Sequence, residues 1–592
     1  MKIRKALLLV LLLPLVGCSS NPDEGSSSSS SSTSGSTLPD GEIIDPDKID
    51  GLASIDSIQD VPMLHAWNWK INDVKSRLEK IKNAGYGAIQ LSPLQPKVDK
   101  TNYSTESTSS QWWKLYQPLA FKVATTGENF LGTKSDLTAL CAAAKQYDIK
   151  IVMDIVCNHL AGNASGYNSQ VSEYTQYPLH NYGMHSDDNN GESVVKGHIN
   201  LPDLDTSNTQ VQQDALAMLK EYVDCGVSGF RFDAAKHIET PDDGSYASNF
   251  WTVVLGGTTS YATSKGLDEP YYYGEVLNTP GAGRSFGSYT KMMSICDNKQ
   301  GTSIVSAVKD NNLGSIKTTF DTNESPEHLV LWAESHDTYA NTSGYDLTTS
   351  YPIEVINKAY VIQTSRKDAN SLYFSRPTNM GVTITTINDN GGYKFKDIRA
   401  INVFHRLFVD KSESINNNNG CFVNVRGSGD YVGAAIVSIS GSSTQNVSVA
   451  GLKDGTYFDL VSQNDFVVSG GTVNATFTNG ACILIPKAMS EGIHLDDDTG
   501  YDSNIVIKGA DSTKSYLAWN WTNEHDGKWL AFDTDKDAIG VNLTANSNYI
   551  IVEFPSGTTA SSANWGGKIR QTYDLQFSGT QIIHEFNSIS WK

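Results

Sequence analysis

Between about Asp56 and Phe408, short β-rich runs alternate with stretches of helical period, and no other feature restricts the fold of this chain as much. The runs are Met63–Trp67, Ala88–Leu91, Ile149–Val156, Gly229–Asp233, Tyr271–Val276, Leu329–Ala333 and Ser371–Phe374. Between them Val74, Leu78 and Ile81 recur at helical spacing, as do Leu216, Leu219 and Val223. The second of these stretches has Ser207 and Asn208 near its start and Gly226 just past its end, where caps belong. A strand–helix–strand rhythm implies parallel strands joined by crossover helices. Seven runs and a weaker eighth at Met292–Ile295 predict an α/β fold, a closed (β/α)8 barrel over 56–408.

The rhythm breaks once. From Leu160 to Leu201 the chain is rich in Asn, Ser, Gly, Tyr and His without helical period, and a loop of that length inside a compact domain is usually functional. It reads as an excursion domain over 160–204, inserted after the third strand. At 592 residues the chain exceeds what one hydrophobic core supports. Beyond Val409 the helical signal fades, and 409–487 and 490–592 read as two successive β-sandwich domains. The last block holds Trp519, Trp521, Trp529, Trp565 and Trp591, five of the eleven tryptophans.

The N-terminal end carries an address. Lys2, Arg4 and Lys5 precede an apolar run from Ala6 to Val16, too short to span a bilayer. Leu15-Val16-Gly17-Cys18 resembles a bacterial lipoprotein cleavage box, which implies removal of 1–18 as signal peptide and a lipid on Cys18. A serine-rich stretch over 19–55, with serine at every position from Ser26 to Ser32, reads as a flexible tether. The chain is therefore expected on the bacterial surface, touching the membrane only through its lipid. The net charge of −20 argues against a nucleic-acid partner and suits a neutral polymer. Six cysteines follow Cys18; Cys157 and Cys225 lie in apolar contexts typical of buried free thiols, and the absence of any CxxC pair makes a thiolate metal site improbable.

The chemistry lies at the strand ends, where such barrels carry their active sites. These ends hold Asp154 and Asn158-His159, then Arg231-Phe232-Asp233, then Glu275, then His336-Asp337. Carboxylates on successive strand ends can converge on one point, and glycoside hydrolysis needs a nucleophile and an acid/base about 5–5.5 Å apart in retaining enzymes. Arg231, two positions before Asp233, points to the same side of its strand and would favour an ionised nucleophile.

These segments resemble the ordered motifs of glycoside hydrolase family 13, the α-amylase family. Asp154-Ile155-Val156-Cys157-Asn158-His159 is similar to its first motif, Gly229–His237 to its nucleophile motif, Gly274-Glu275-Val276-Leu277 to its acid/base motif and Glu334-Ser335-His336-Asp337 to its fourth. Leu201-Pro202-Asp203-Leu204-Asp205 resembles the extra motif closing the excursion domain. Leu64–Trp69 and Trp112–Pro118 look most like α-amylases of the Bacillus subtilis type. The resemblance spans about His65 to Pro486 and implies a TIM barrel, with endo-acting, retaining hydrolysis of α-1,4 bonds in starch by a monomer. It makes Asp233 the nucleophile, Glu275 the acid/base and Asp337 the carboxylate that favours ring distortion. It gives substrate contacts to His65, Trp112, Trp113, Tyr116, Gln117, His159, Arg231, Lys236, His237 and His336. It implies calcium held by Asn158, Asp203 and the His237 carbonyl, and oxygen ligands of this kind suit that ion.

Two departures stand out. Ser335 occupies the place where chloride-dependent relatives carry Asn, so chloride activation is not expected, and Ala369-Asn370-Ser371 replaces the usual Gly-Thr-Pro before the eighth strand. A binding-only barrel would have lost one of the three carboxylates, and none is lost. A glucanotransferase or branch-cleaving relative would keep all three and differ only in its subsites. The terminal block resembles the starch-binding modules of carbohydrate-binding family 26 through Tyr516–Trp521, Gly527-Lys528-Trp529 and Gln571–Leu575. That resemblance implies sugar contacts at Trp519, Trp521, Trp529 and Gln571, with Trp519 and Trp521 sharing one face of a strand.

Overall fold

The computed structural model describes residues 57–97, 109–161, 177–281, 283–341, 347–377, 392–418, 420–490, 503–523, 526–535, 538–543, 547–577 and 582–592. The signal segment, Cys18 and the serine-rich tether lie outside them. Eight parallel strands close into a barrel in chain order: β1 (Met63–Ala66), β2 (Ala88–Leu91), β3 (Lys150–Val156), β4 (Gly229–Asp233), β5 (Tyr271–Gly274), β6 (Ser294–Cys296), β7 (Leu329–Trp332) and β8 (Asn370–Phe374), with β8 pairing back onto β1. This is the expected TIM-barrel architecture. The run that was weakest in the sequence, β6, is a strand of three residues.

Strand alternation sets what faces the barrel axis. On β4, Phe230 and Phe232 point outward, and Phe232 meets Trp251 of helix Phe250–Ser264 with ring centroids 5.1 Å apart. Arg231 and Asp233 therefore point inward. The ladder sets Asp154 of β3 opposite Arg231. Helix Thr209–Asp224 starts where the Asn208 side chain accepts from the Gln210 amide, and it stops before Gly226, whose φ of 96° suits only glycine well. The stretch around Val74, Leu78 and Ile81 forms two short helices, Ile71–Lys75 and Leu78–Asn83, rather than one. The unusual Asn370 has a task, since its side-chain amide donates to the carbonyls of Ile58 (2.6 Å) and Val61 (2.9 Å) and ties the entry of β1 to β8.

The excursion segment is seamed to the barrel through its backbone. His159 bridges Asp203 and Leu179 bridges Leu204, both antiparallel, and the Leu204 amide donates to the Asn158 carbonyl at 2.9 Å. One helix, Gly191–Lys196, lies in the stretch that shows no helical period. It is too short for periodicity to reveal, and its local signals are the Asn190 cap, Glu192 in the first turn and Lys196 in the last.

Eight antiparallel strands from Glu413–Asn418 to Ala481–Pro486 form one continuous sheet. Val423 and Val425 near one end share a core with Val447, Val468 and Val473 near the other, so the sheet folds over itself into the layers of a sandwich. The last hundred residues form two smaller sheets, with Ile505 and Ile507 of one packed against Ala518, Tyr549 and Ile551 of the other. All six cysteines after Cys18 are buried free thiols.

Candidate active site

Arg231 is the hub of the barrel mouth. Its Nη1 donates to Asp154 Oδ1 (2.7 Å), Asp154 Oδ2 (2.9 Å) and Asp233 Oδ1 (2.9 Å), and its Nη2 lies 3.0 Å from Glu275 Oε1. One guanidinium thus holds three carboxylates from three strands. It cannot neutralise them all, and the cluster therefore favours keeping a proton. Burial raises the Asp154 carboxyl to about 6 and the Asp233 carboxyl well above its ordinary range, while Arg231 pulls both down. Asp337, on the rim, is raised by burial and lowered by the same arginine.

The backbone after Asp233 positions the second carboxylate. Ala234 sits in the left-handed region at φ 49°, a conformation that costs a non-glycine residue roughly 1–3 kcal/mol and persists only where its surroundings enforce it. In that pose its amide donates to Glu275 Oε2 at 2.9 Å. Glu275 is held on both oxygens, by Arg231 and by the residue next to Asp233.

A ring of histidines and aromatics closes the site. Tyr116 stacks on His336 with centroids 5.0 Å apart and planes 5° from parallel, and its hydroxyl donates to Asp154 Oδ2 at 2.9 Å. Trp112 sits edge-on to both Tyr116 and His336. His65 meets His336 edge-on at 5.7 Å. His159 Nε2 is 4.0 Å from Asp233 Oδ2 and 2.9 Å from the Tyr116 carbonyl. Burial lowers His159 to about 4 and His336 to about 3, so both are neutral hydrogen-bonding groups at neutral pH rather than cations.

Ser335, at the chloride-linked position, caps helix His336–Ala340 by accepting from the Thr338 amide. This cap aims His336 and Asp337 from the first turn. Behind it, Arg376 Nη2 and Nε grip buried Glu334 at 2.6 and 3.0 Å, anchoring the β7 exit to β8. A cavity of about 200 Å³ opens over the cluster, and Gln90, Tyr273, Asn278 and Asn298 line it beside Arg231 and Glu275. These four carry no motif signal. Asp154 does carry one, and its role as the arginine's bidentate partner follows only from the β3–β4 register.

The remaining sequence candidates lie further out. Lys236 Nζ pairs with Asp188 Oδ1 of the excursion segment at 2.9 Å. The His237 ring bonds the Val194 carbonyl at 2.7 Å. Trp113 lies under the Lys114 ammonium, and Gln117 follows Tyr116, half-buried.

Residues 69–265 match the family described as Alpha amylase, catalytic domain. An alpha-amylase of Clostridium acetobutylicum is 30% identical over 573 residues, covering 90% of this chain and 70% of that protein. The chain belongs to the α-amylase family. It is a glycoside hydrolase. An alpha-amylase of Butyrivibrio fibrisolvens is 26% identical over 589 residues, covering 91% of this chain but 59% of that protein. Among solved structures, alpha-amylase I of Eisenia fetida superposes with a TM-score of 0.57 over 72% of this chain and 97% of its own, at 18% identity. An alpha-amylase of Geobacillus thermoleovorans complexed with acarbose gives 0.54 at 16%. These two likenesses speak for the fold alone.

The α-amylase family generally binds calcium. Among the described residues no three His, Cys, Asp or Glu side chains stand in ligating geometry. The chemistry of the seam nevertheless suits a divalent cation. Asn158 Nδ2 donates to Asp203 Oδ1 at 3.1 Å, and the buried Asn158 Oδ1 has no hydrogen-bond partner. Asp203, Asp205 and Glu239 gather there around a single histidine, His180. Burial lowers the His180 imidazole, and its bond to Asp203 and the nearby Glu239 carboxylate outweigh that and raise it to about 9.

The terminal module gathers Trp519, Trp521 and Trp529 on one face, while Trp591 packs with Phe586 on the other side. Trp519 pairs directly with Trp529 across strands Lys514–Trp521 and Lys528–Ala531, their centroids 4.9 Å apart. Trp565 packs on both. With Trp521 they lie over Leu517, Ile550, Val552 and Phe554, and Gln571 pairs with Val552. A Cβ on Gly527 would come 2.2 Å from the Trp519 ring, so backbone lies against that indole. Trp519 and Trp529 are thus packed rings, and Trp565, which no motif flagged, is the exposed one at 40%.

Proposed function

We propose that this enzyme hydrolyses internal α-1,4-glucosidic bonds of starch and related α-glucans with retention at the anomeric carbon. The Arg231 hub carries the reading, because it joins Asp233 and Glu275, the two carboxylates such chemistry requires, through one side chain. Asp233 attacks the anomeric carbon while Glu275 gives its proton to the leaving oxygen. Water, deprotonated by Glu275, then releases the sugar from Asp233. Arg231 pulls the Asp233 carboxyl toward its ionised form against the burial that raises it. Asp337, His159 and His336 hold hydroxyls of the sugar at the cleavage site, and Tyr116 stacks beneath it. His65, Trp112, Trp113 and Gln117 shape the neighbouring subsites, and Lys236 and His237 reach the reducing-end side.

Asn158, Asp203 and the His237 carbonyl would hold calcium, which pins the excursion segment beside the nucleophile. The tryptophan face of the terminal module binds starch, and Cys18 anchors a monomeric enzyme to the bacterial surface through lipid. Two alanine changes at Cys18 and Gly17 should release the protein from the membrane fraction. Retention is tested by nuclear magnetic resonance of the first product anomer from a maltooligosaccharide. An α-anomer is expected, and an initial β-anomer refutes the mechanism. Products from amylose, pullulan and cyclodextrins separate endo-hydrolysis from transfer and from branch cleavage.

A further inference from the structure

The seam contains a histidine that no motif of the sequence assigns to a task. His180 lies on the excursion segment, opposite Asp203, and its amide donates to the Asp203 carbonyl at 3.1 Å. Its ring is almost wholly buried. Nδ1 bonds Asp203 Oδ2 at 2.7 Å, while Nε2 sits 3.0 Å from Glu239 Oε1 and 3.4 Å from Asp205 Oδ1 without forming an aligned hydrogen bond to either. Glu239 belongs to the barrel side, two residues beyond His237. The imidazole therefore spans from the excursion segment to the barrel through the very carboxylate that a cation would need.

Each of the two Asp203 oxygens already accepts a hydrogen bond. One receives Asn158 Nδ2 and the other receives His180 Nδ1. A divalent cation prefers several oxygen ligands at about 2.3–2.6 Å, so a cation on Asp203 Oδ2 competes with the imidazole for that oxygen. Glu239 and Asp205 offer His180 somewhere to go, because both already lie beside Nε2.

We propose that His180 is the stand-in for the metal: in the metal-free chain it bridges Asp203 to Glu239 and keeps the excursion segment seated, and an incoming divalent cation displaces it from Asp203. The proposal rests on the calcium reading only for its second half. The seam is then held in two alternative ways, by an imidazole or by an ion, and the barrel mouth keeps its wall when the ion is lost.

The test uses the full chain with His180→Ala and His180→Gln, the second retaining volume and one donor. Melting is followed in chelator and in saturating calcium at neutral pH, and calcium binding to the stripped chain is measured by calorimetry. In chelator both variants should melt below wild type, and in calcium the gap should narrow. Calcium should bind His180→Ala about tenfold more tightly, since a charge-assisted hydrogen bond no longer competes. Equal losses with and without calcium, or unaltered melting in chelator, overturn the stand-in role. Unchanged or weaker calcium affinity overturns the displacement. If neither wild type nor variant binds calcium, the calcium reading and the displacement fall together, while the melting in chelator still decides whether His180 holds the seam.

Discussion

At the barrel mouth one guanidinium meets Asp154, Asp233 and Glu275, and at the seam one imidazole meets Asp203, Asp205 and Glu239. The parts are alike, a single cation among three carboxylates. The geometry differs. Arg231 spends both terminal nitrogens in contacts of 3.0 Å or less, its planar fork matching the oxygens around it. His180 aligns one nitrogen, leaves the other between two acids, and stands near an Asn158 oxygen without a partner. The mouth's guanidinium is fully engaged, whereas the seam leaves the Asn158 amide oxygen and the second imidazole nitrogen without an aligned partner. A cluster of acids is read by how its cation is satisfied rather than by how many acids it contains.

The sharpest way to break this contrast is at the mouth. Asp233→Asn and Glu275→Gln should each lower turnover on starch by at least about 10²-fold, since general acid–base catalysis alone contributes roughly 10²–10⁴. Their circular dichroism should match wild type. A variant retaining a tenth of the activity would move the chemistry away from the Arg231 hub.

Next in size is the module, where packing replaces charge. Trp519→Ala with Trp529→Ala removes two rings that contact each other, Trp565 and, through Trp529, Phe554. Full burial makes such a truncation cost about 3–5 kcal/mol, and these rings are partly exposed, so the pair should cost somewhat less than twice that. Calorimetry should show the module's transition lowered or lost, with activity on soluble maltooligosaccharides unchanged. Trp521→Ala, at the strand end, should keep the fold and weaken adsorption to starch granules. Adsorption surviving in a folded Trp521 variant would shift the binding face to Trp565.

A buried histidine should weaken the chain in acid. Burial lowers His405 to about 4, with Arg426 and Arg406 adding to the depression and its bond to the Thr364 carbonyl opposing it. An unfolded histidine titrates near 6.5, so between 6.5 and about 4 only the unfolded chain binds this proton. The stability that the neutral ring contributes is full above 6.5 and falls away as pH drops, by about 3 kcal/mol at this one site. His405→Gln should flatten the melting temperature between pH 6.5 and 4, and an unchanged acid slope would assign that slope to other groups.

Calcium is expected to raise the melting temperature by about 2–4 °C at a hundredfold excess over Kd, because it binds only the folded chain. Asp203→Asn should abolish most of that rise. A melting curve indifferent to chelator in wild type would leave the seam to its histidine alone.

Much of this was legible before the fold was known. The barrel strands are mostly apolar, because both faces of a parallel sheet are covered, and apart from the alternating β4 such runs need no long-range information to find. The convergence of Asp154, Asp233 and Glu275 was legible because strand ends in such a barrel share one mouth. What stayed hidden depends on distance in sequence. Asp154 gains its arginine only through the β3–β4 register, and His180 reaches Asp203 only after the chain returns across 23 residues. Trp565 lies in a turn-rich segment with no strand pattern, and the fold alone brings it onto Trp519 and Trp529. The helix Gly191–Lys196 is too short for its two buried valines to show a period.

The smallest expected effect tests whether the mouth and the seam communicate. Lys236, two residues after the strained Ala234, carries its ammonium to Asp188 on the excursion segment, and Asp188 also lies 3.3 Å from His185 Nε2. Lys236 is mostly enclosed while the Asp188 side chain is 53% exposed, so water screens the pair and holds its worth to roughly 0–1 kcal/mol. Asp188→Asn keeps the shape and removes the charge. If Lys236 binds substrate on the reducing-end side, the aspartate competes for it, and its loss should leave kcat unchanged while shifting KM by less than about threefold. Raising the salt should shrink the difference further, because screening already weakens the pair in the wild type. A tenfold fall in kcat instead would mean that the excursion segment positions Lys236 for the chemical step, and the two clusters would then have to be treated as one site.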